Sequence, residues 1–353
     1  IKIKDSIRYS EGLLRIFVEA LSNAIDNVWR SRQAKVSCTK IKVSIDQETG
    51  ETSIWNDGLT IPIEKNEDTG LYNPELIFGH LLTSSNYDDT EERFTSGRNG
   101  LGIKLTNVFS EEFSVRTFEE SSGKLYEKDW SNNMRDSDEH VITTPKNIKK
   151  GFTEVTWIPD FEKFGMKGYD NNTMNLFYKY IYDAAMVSKI PIYVNDSKVP
   201  VKSLIDYARF FTSISDESIT TSFGNCEVVI TPSSSNSFQH VAFTNGVYNR
   251  EGGTHVDAWS EELFRPLMAK LNKPNKPHVN IKDVKKFFRI FVNCTVLISG
   301  FDPSFARSIG IHNMLLQYGL WILLAFCIIT SLQVIGVILA SALLIIPAAT
   351  ASL

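Results

Sequence analysis

Residues 97–110 read "GRNGLGIKLTNVFS", a glycine loop that runs into a helix-like segment. Gly97, Gly100 and Gly102 free the backbone to take positive φ and to approach a ligand closely. From Ile103 the pattern is that of a helix whose N-terminus faces the loop. Free N–H groups and the helix dipole there favour a polyphosphate. The stretch is not a P-loop, because Gly102-Ile103-Lys104 stands where that pattern needs Gly-Lys-Ser/Thr. Nor is it a dinucleotide fingerprint, since no short strand leads straight into it. A glycine loop alone is weak evidence, so its neighbours in the chain carry the reading.

Upstream, residues 9–33 ("YSEGLLRIFVEALSNAIDNVWRSRQ") predict a long helix. Leu14, Phe17, Val18, Leu21, Ile25 and Val28 recur at three- and four-residue spacing and give one buried face. Glu19, Asn23 and Asn27, each four apart, form a polar ridge with Asp26 beside it. Two readings fit this ridge. It is a solvated outer face, or it is a magnesium and water site. Amide oxygens suit a hard cation that keeps most of its waters, and a carboxylate one turn away can polarise an attacking water. Residues 41–63 ("IKVSIDQETGETSIWNDGLTIPI") predict two antiparallel strands joined near Gly50, the second ending at Asn56-Asp57-Gly58. Alone, that ending is a turn. An amide and a carboxylate at a strand end are also placed to read a purine edge.

The order of acid–amide helix, Asn-Asp-Gly and glycine loop resembles the GHKL ATPase superfamily with its Bergerat fold. "PELIFGHLLTSSNYDD" (74–89) and "GRNGLGIKLTNVFS" are similar to signatures of the ATPase region of eukaryotic-type type II DNA topoisomerases. "FTNGVYNREGGTHVDAW" (243–259) and "KFFRIFVNCT" (286–295) extend the likeness to about residue 295. An α+β chain in three parts is expected, the first two implied by this resemblance and the third by the apolar runs of the tail. Residues 1–202 form a Bergerat-type α/β sandwich that binds ATP with Mg²⁺. Residues 203–295 form a truncated α/β transducer domain, and residues 296–353 a hydrophobic all-α tail. The resemblance implies Glu19 as the general base toward water and Asn23 as the Mg²⁺ ligand, with Asn27 also in the ATP pocket. Asn56 and Asp57 lie on the adenine side, and Ser84, Ser85 and Asn86 on the sugar and phosphates. Gly97, Arg98, Asn99, Gly100, Leu101, Gly102, Ile103 and Lys104 form the phosphate-wrapping lid. Two positions depart from the family's pattern: Thr60 replaces a second glycine after Asn-Asp-Gly, and Leu101 replaces a tyrosine.

Residues 270–289 carry seven basic residues and one acidic. A lysine cluster is ordinarily a solvated face; the resemblance implies a DNA-facing loop at Lys273, Asn275 and Lys276. The family's partners are DNA and a second copy of the chain. Its swapped N-terminal arm is not found before Ile1, which argues against a stable dimer here. In the family, a Gln-Thr-Lys loop follows the strand matching "FRIFVNC", and its lysine reaches the terminal phosphate. Here the sequence runs on as "TVLISGFDPSFARSIGI", and weak hydrolysis is expected.

From Ser308 to Leu353 there is no Asp, Glu, Lys or Arg, although the whole chain carries 22% charged residues. Met314–Ser331 and Val334–Ala349 are apolar runs near the length that spans a bilayer. A buried core helix is the other reading, which two adjacent charge-free runs disfavour. "FDPSFARSIGI" with "SLQVIGVILASALLIIPAATASL" resembles part of the permease of ABC-type zinc or manganese importers. The expectation is a chimera, joined near Thr295. Its first part belongs to a nucleus, viral factory or cytoplasm, and its tail to a membrane. A transporter's own ATPase is not expected, because neither a P-loop nor a transporter signature occurs. Cys38, Cys226, Cys294 and Cys327 have no metal or redox spacing and predict reduced thiols.

Overall fold

A computed structural model describes residues 7–80, 102–211, 218–233, 237–272 and 278–295. Helix α1 (Glu11–Gln33) starts at Ser10, whose hydroxyl accepts from the Leu13 N–H at 3.5 Å. Its core face is wider than the predicted one: Leu13, Ile16, Ala20 and Ala24 are buried with Leu14, Phe17, Leu21 and Val28. Strands β1 (Ile41–Ile45) and β2 (Thr52–Asn56) pair antiparallel, with Ile41 opposite Asn56. The turn between them is built on Asp46, whose carboxylate accepts from the N–H groups of Glu48 and Thr49, and on Gly50 at φ +81°. Only a residue without Cβ adopts that φ cheaply.

Helix α2 (Asn73–Gly79) carries Pro74 in its first turn, where no N–H partner is lost. After α3 (Gly102–Val108) come β3 (Ser110–Glu119), β4 (Lys124–Ser131), β5 (Asp136–Ser137), β6 (Val141–Thr143) and β7 (Phe152–Pro159). Helix α4 (Asn171–Ser188) is capped by Asp170, which accepts from Thr173 N–H at 2.7 Å. Strands β8 (Ile192–Val194) and β9 (Ser197–Lys198) follow. The first sheet has nine strands in the order β5-β4-β3-β7-β2-β1-β8-β9, with β6 paired to β4. Alternating side chains of β1, β2, β3 and β7 make one apolar face, on which α1 and α4 lie. Phe17 of α1 and Phe177 of α4 stack there at 3.9 Å between ring centroids, beside the buried Trp157.

The second sheet begins beyond α5 (Leu204–Ala208). It consists of β10 (Ile219–Phe223), β11 (Cys226–Pro232), β12 (Gln239–Thr244), β13 (Val247–Tyr248) and β14 (Phe288–Cys294). Their order is β10-β11-β14-β12-β13, so the last strand is central, antiparallel to β11 and parallel to β12. Helices α6 (Thr254–Leu271) and α7 (Ile281–Lys285) cover one face through Phe264 and Val284, against Val228, Ile230, Ile290 and Val292. Val229, Phe243 and Phe291 point the other way and join the core beneath the first sheet. The α+β character and the sandwich of helices on a sheet are as expected.

The reduced-thiol expectation is corrected for two cysteines. The antiparallel register sets Cys226 opposite Cys294 with Cα atoms 4.1 Å apart, and the two form a disulfide. They are 68 residues apart in sequence, so linear spacing could not show the pairing. Cys38 is free. Cys327 and the whole predicted tail, 296–353, lie outside the described residues, as do Lys273, Asn275 and Lys276. Among the described residues no helix is long and apolar enough to cross a membrane.

Phe177 is fully buried and holds α4 on α1. Phe177→Ala is expected to cost about 3–5 kcal/mol. Urea unfolding measures it, and a loss under about 1 kcal/mol would contradict this account of the core.

Candidate functional site

The ridge on α1 faces two other elements. Its C-terminal half is stitched to the end of β2. Asn27 Nδ2 donates to Asn56 Oδ1 at 2.6 Å and to the Leu59 carbonyl at 3.0 Å. Ser31 Oγ donates to the Asn27 carbonyl and accepts from the Leu59 N–H at 2.7 Å. Gly58 sits inside this seam. A Cβ there would lie 2.6 Å from Ser31 Oγ and 2.9 Å from Asn27 Nδ2, so close approach rather than positive φ demands glycine.

The other end of the ridge meets the start of α3. The Glu19 carboxylate lies directly over Gly102, where any Cβ would overlap it. Arg15, one turn back and largely exposed, pairs with the same carboxylate. Thr106 Oγ1 donates to the Ile16 carbonyl at 3.0 Å, and Asn107 Nδ2 to the Phe78 carbonyl at 3.1 Å, which ties α3 to α1 and α2. Lys104 is 1% exposed, and burial lowers its ammonium to about 8. Ile103 is buried in the hydrophobic core, so its side chain packs and its backbone alone remains to meet a ligand.

Asp57 is buried and heavily engaged. Its oxygens accept from the Thr39 N–H at 2.7 Å, the Lys40 N–H at 3.1 Å, the Thr39 hydroxyl and Lys150 Nζ at 2.5 Å. Burial alone would raise this carboxyl. Lys150, the Thr39 hydroxyl and the two backbone N–H groups outweigh burial and hold it below the usual range. Beside it, burial and the Asp57 charge push the Cys38 thiol up to about 11, so it stays protonated.

Of the residues predicted for the site, the fold gathers Glu19, Asn23 and Asn27 on one helix face. Asn56 and Asp57 stand at its C-terminal half, and Gly102 and Lys104 at its other end. Ser84, Ser85, Asn86, Gly97, Arg98, Asn99, Gly100 and Leu101 lie outside the described residues. Sequence reading missed Thr39, Ser31 and the Lys150-Gly151 pair. Gly151 explains the Thr60 departure: a Cβ on Gly151 would lie 2.5 Å from the Thr60 methyl, so the branched residue takes space a glycine leaves on the neighbouring strand end. A lysine-glycine pair before β7 is the one local signal, but only the β2–β7 pairing shows what it touches.

This geometry can be set against known proteins. The family described as "Histidine kinase-, DNA gyrase B-, and HSP90-like ATPase" matches residues 9–147. The solved ATPase region of Saccharomyces cerevisiae topoisomerase II is 35% identical with a TM-score of 0.72, and the match covers 81% of this chain and 73% of that one. The chain belongs to the type II DNA topoisomerase family, in its ATPase region. The ATPase and transducer domains of DNA topoisomerase II from Balamuthia mandrillaris agree at 31% identity and a TM-score of 0.75, over 82% of this chain and 74% of that one. DNA topoisomerase 2 of Invertebrate iridescent virus 6 is 39% identical over 318 residues, 85% of this chain but 28% of the relative. The chain therefore spans about a quarter of that protein's length. A second family, described as "ABC 3 transport family", matches residues 281–353.

The residues present fit a nucleotide and a hard cation. An acid and two amides share one ridge, oxygen donors that suit a hard cation, and the buried Lys104 lies on the helix packed at the ridge's N-terminal end. The Asp57 network sets a pH prediction. An unfolded aspartate titrates near about 3.9. The folded carboxyl binds its proton less readily, so its stabilisation is complete above that value and drains as pH falls through the folded one. Asp57→Asn is expected to lower stability at neutral pH by about 1–3 kcal/mol and to flatten the acid-side decline. Urea melts from pH 3 to 7 check both, and an unchanged acid limb counts against this network.

Proposed function

We propose that residues 1–295 bind Mg-ATP and hydrolyse it slowly. The observation that carries this reading is the Glu19 carboxylate seated on Gly102, the first residue of α3. Asn23 would hold Mg²⁺ through its amide oxygen; the ion, when bound, supplies charge neutralisation on the phosphates. Once its carboxylate parts from Arg15, Glu19 would orient the water and take the water's proton. Lys104 brings a buried positive charge toward the terminal phosphates. The Asn27–Asn56 pair and Asp57 form the adenine side, with Asp57 acting largely through the strand ends it holds. Ser84, Ser85, Asn86 and Gly97–Leu101 complete the sugar and phosphate contacts, a role supported by the resemblance of their motifs.

Slow turnover is supported by the sequence after β14, which lacks the Gln-Thr-Lys that the family resemblance requires. The larger relatives are DNA topoisomerases, so DNA strand passage, in a nucleus, viral factory or cytoplasm, is the setting we propose for such an ATPase region. Lys273, Asn275 and Lys276 are the DNA contacts proposed. The ABC 3 transport match favours a second reading for the tail, a membrane-associated segment fused to this region. Carbonate extraction of membranes tests it: release of the whole chain into the soluble fraction sinks it.

Titration of the full chain with Mg-ATP is expected to show saturable binding. Glu19→Gln should retain binding and slow single-turnover hydrolysis by about 10²–10⁴-fold. Gly102→Ala should displace the Glu19 carboxylate and slow hydrolysis as Glu19→Gln does, and parent-like turnover in that variant refutes the seat. Because Lys104 loses its proton near about 8, affinity is expected to fall between pH 7 and 9. Stability should rise from about pH 8 toward the ordinary lysine value of 10.5, since over that window the unfolded chain binds the extra proton.

A further inference from the structure

A second buried polar cluster lies away from the nucleotide site. Asp183 of α4 is buried, and it accepts from Lys179 Nζ at 2.5 Å and from Tyr207 OH at 2.6 Å. Tyr207, on α5, is 1% exposed. The Lys179 ammonium also sits 3.7 Å from the ring centroid of Tyr248 and 5.9 Å from that of Phe243, both on the second sheet. Tyr207 meets Phe243 edge-on at 5.7 Å. One acid, one cation and one hydroxyl thus join α4, α5 and the β12–β13 hairpin.

Burial makes this arrangement expensive. It pushes the Asp183 carboxyl and the Tyr207 phenol up, while Lys179 and Tyr207 act on Asp183 in the opposite sense. Apolar side chains of equal volume would stabilise the contact at least as well. What a directional network adds is a fixed relation between elements. The position of α4 gives that relation a use. Phe177, two residues before Lys179, stacks on Phe17, two residues before Glu19. A continuous packed path therefore runs from the polar ridge of α1, through α4, to the second sheet. A surface pair, Lys189 with Glu227 at 2.6 Å, spans the same two parts.

We propose that Asp183, with Lys179 and Tyr207, is the positioning joint through which nucleotide binding on α1 reaches the β12–β13 hairpin. It rests on the Mg-ATP reading above. Asp183 touches no ligand; it acts by holding α4 and the hairpin to one geometry, so that a shift of α1 moves both.

The test is hydrogen exchange on the full chain, with and without a non-hydrolysable ATP analogue and Mg²⁺. In the parent, nucleotide is expected to slow exchange in α1 and also in residues 242–249. In Asp183→Asn and Tyr207→Phe, protection of α1 persists, while nucleotide-dependent protection of 242–249 falls at least fivefold. The double variant is expected to lose no more than either single one, because the three groups act as a unit. Tyr207→Phe removes only a hydroxyl, so it keeps the test alive where Asp183→Asn fails to fold. Retained nucleotide-dependent protection of 242–249 in Tyr207→Phe overturns the joint. So does its absence in a parent whose α1 is protected. A parent with no α1 protection overturns the ATP reading itself, and the joint falls with it.

Discussion

Helix α1 must satisfy two surfaces at once, and the architecture follows from that constraint. One stripe buries Leu13, Phe17, Leu21 and Val28 against the first sheet and α4. The next stripe carries Glu19, Asn23 and Asn27 and has to stay polar. A helix with one wet face would leave those groups to bulk solvent. Here each end of the ridge is met by an element that lacks a side chain at the point of contact. Gly58 comes under Asn27 and Ser31, and Gly102 comes under Glu19. The glycines let backbone approach a charged or amide side chain more closely than any other residue allows. The Phe17–Phe177 stack fixes the rotation of α1, without which the ridge would not face those contacts.

Much of this is legible in the amino-acid sequence. The 3.6-residue spacing marks the helix, the alternation at Ile41, Val43 and Ile45 marks the strand, and Asn-Asp-Gly marks the strand end that meets Asn27. Long-range pairing is not legible there. Lys150 bonds Asp57 because β7 lies beside β2, and nothing local to residue 150 reports that. Gly151 accommodates Thr60 for the same reason. The disulfide is the sharpest case: Cys226 and Cys294 look like scattered thiols until an antiparallel register puts them opposite each other. Period and propensity are local quantities, whereas register is set by the whole sheet.

Two buried aspartates show how the same side chain serves opposite ends. Asp57 receives several donors, two of them backbone N–H groups, and is held in its charged form. Its charge organises the strand ends around the turn. Asp183 has a lysine and a phenol but no backbone donor among its bonds, and burial dominates. The first arrangement is rigid because its donors belong to the backbone. The second depends on three side chains from two helices, so its geometry is sensitive to how those helices sit. Stability is served by the former, and communication between elements by the latter.

The second sheet bears on the match to the ABC 3 transport family, which begins at residue 281. Residues 281–294 are α7 and β14, and β14 is the central strand, bonded to β11 on one side and β12 on the other. Its alternating residues serve both cores: Phe291 packs toward the first sheet, and Ile290 and Val292 pack beneath α6 and α7. A strand paired on both edges and buried on both faces cannot be exchanged for foreign sequence without opening the sheet. Even Thr295 still donates its N–H to the Asn225 carbonyl at 2.9 Å. Physically, then, residues 281–295 belong with the ATPase region.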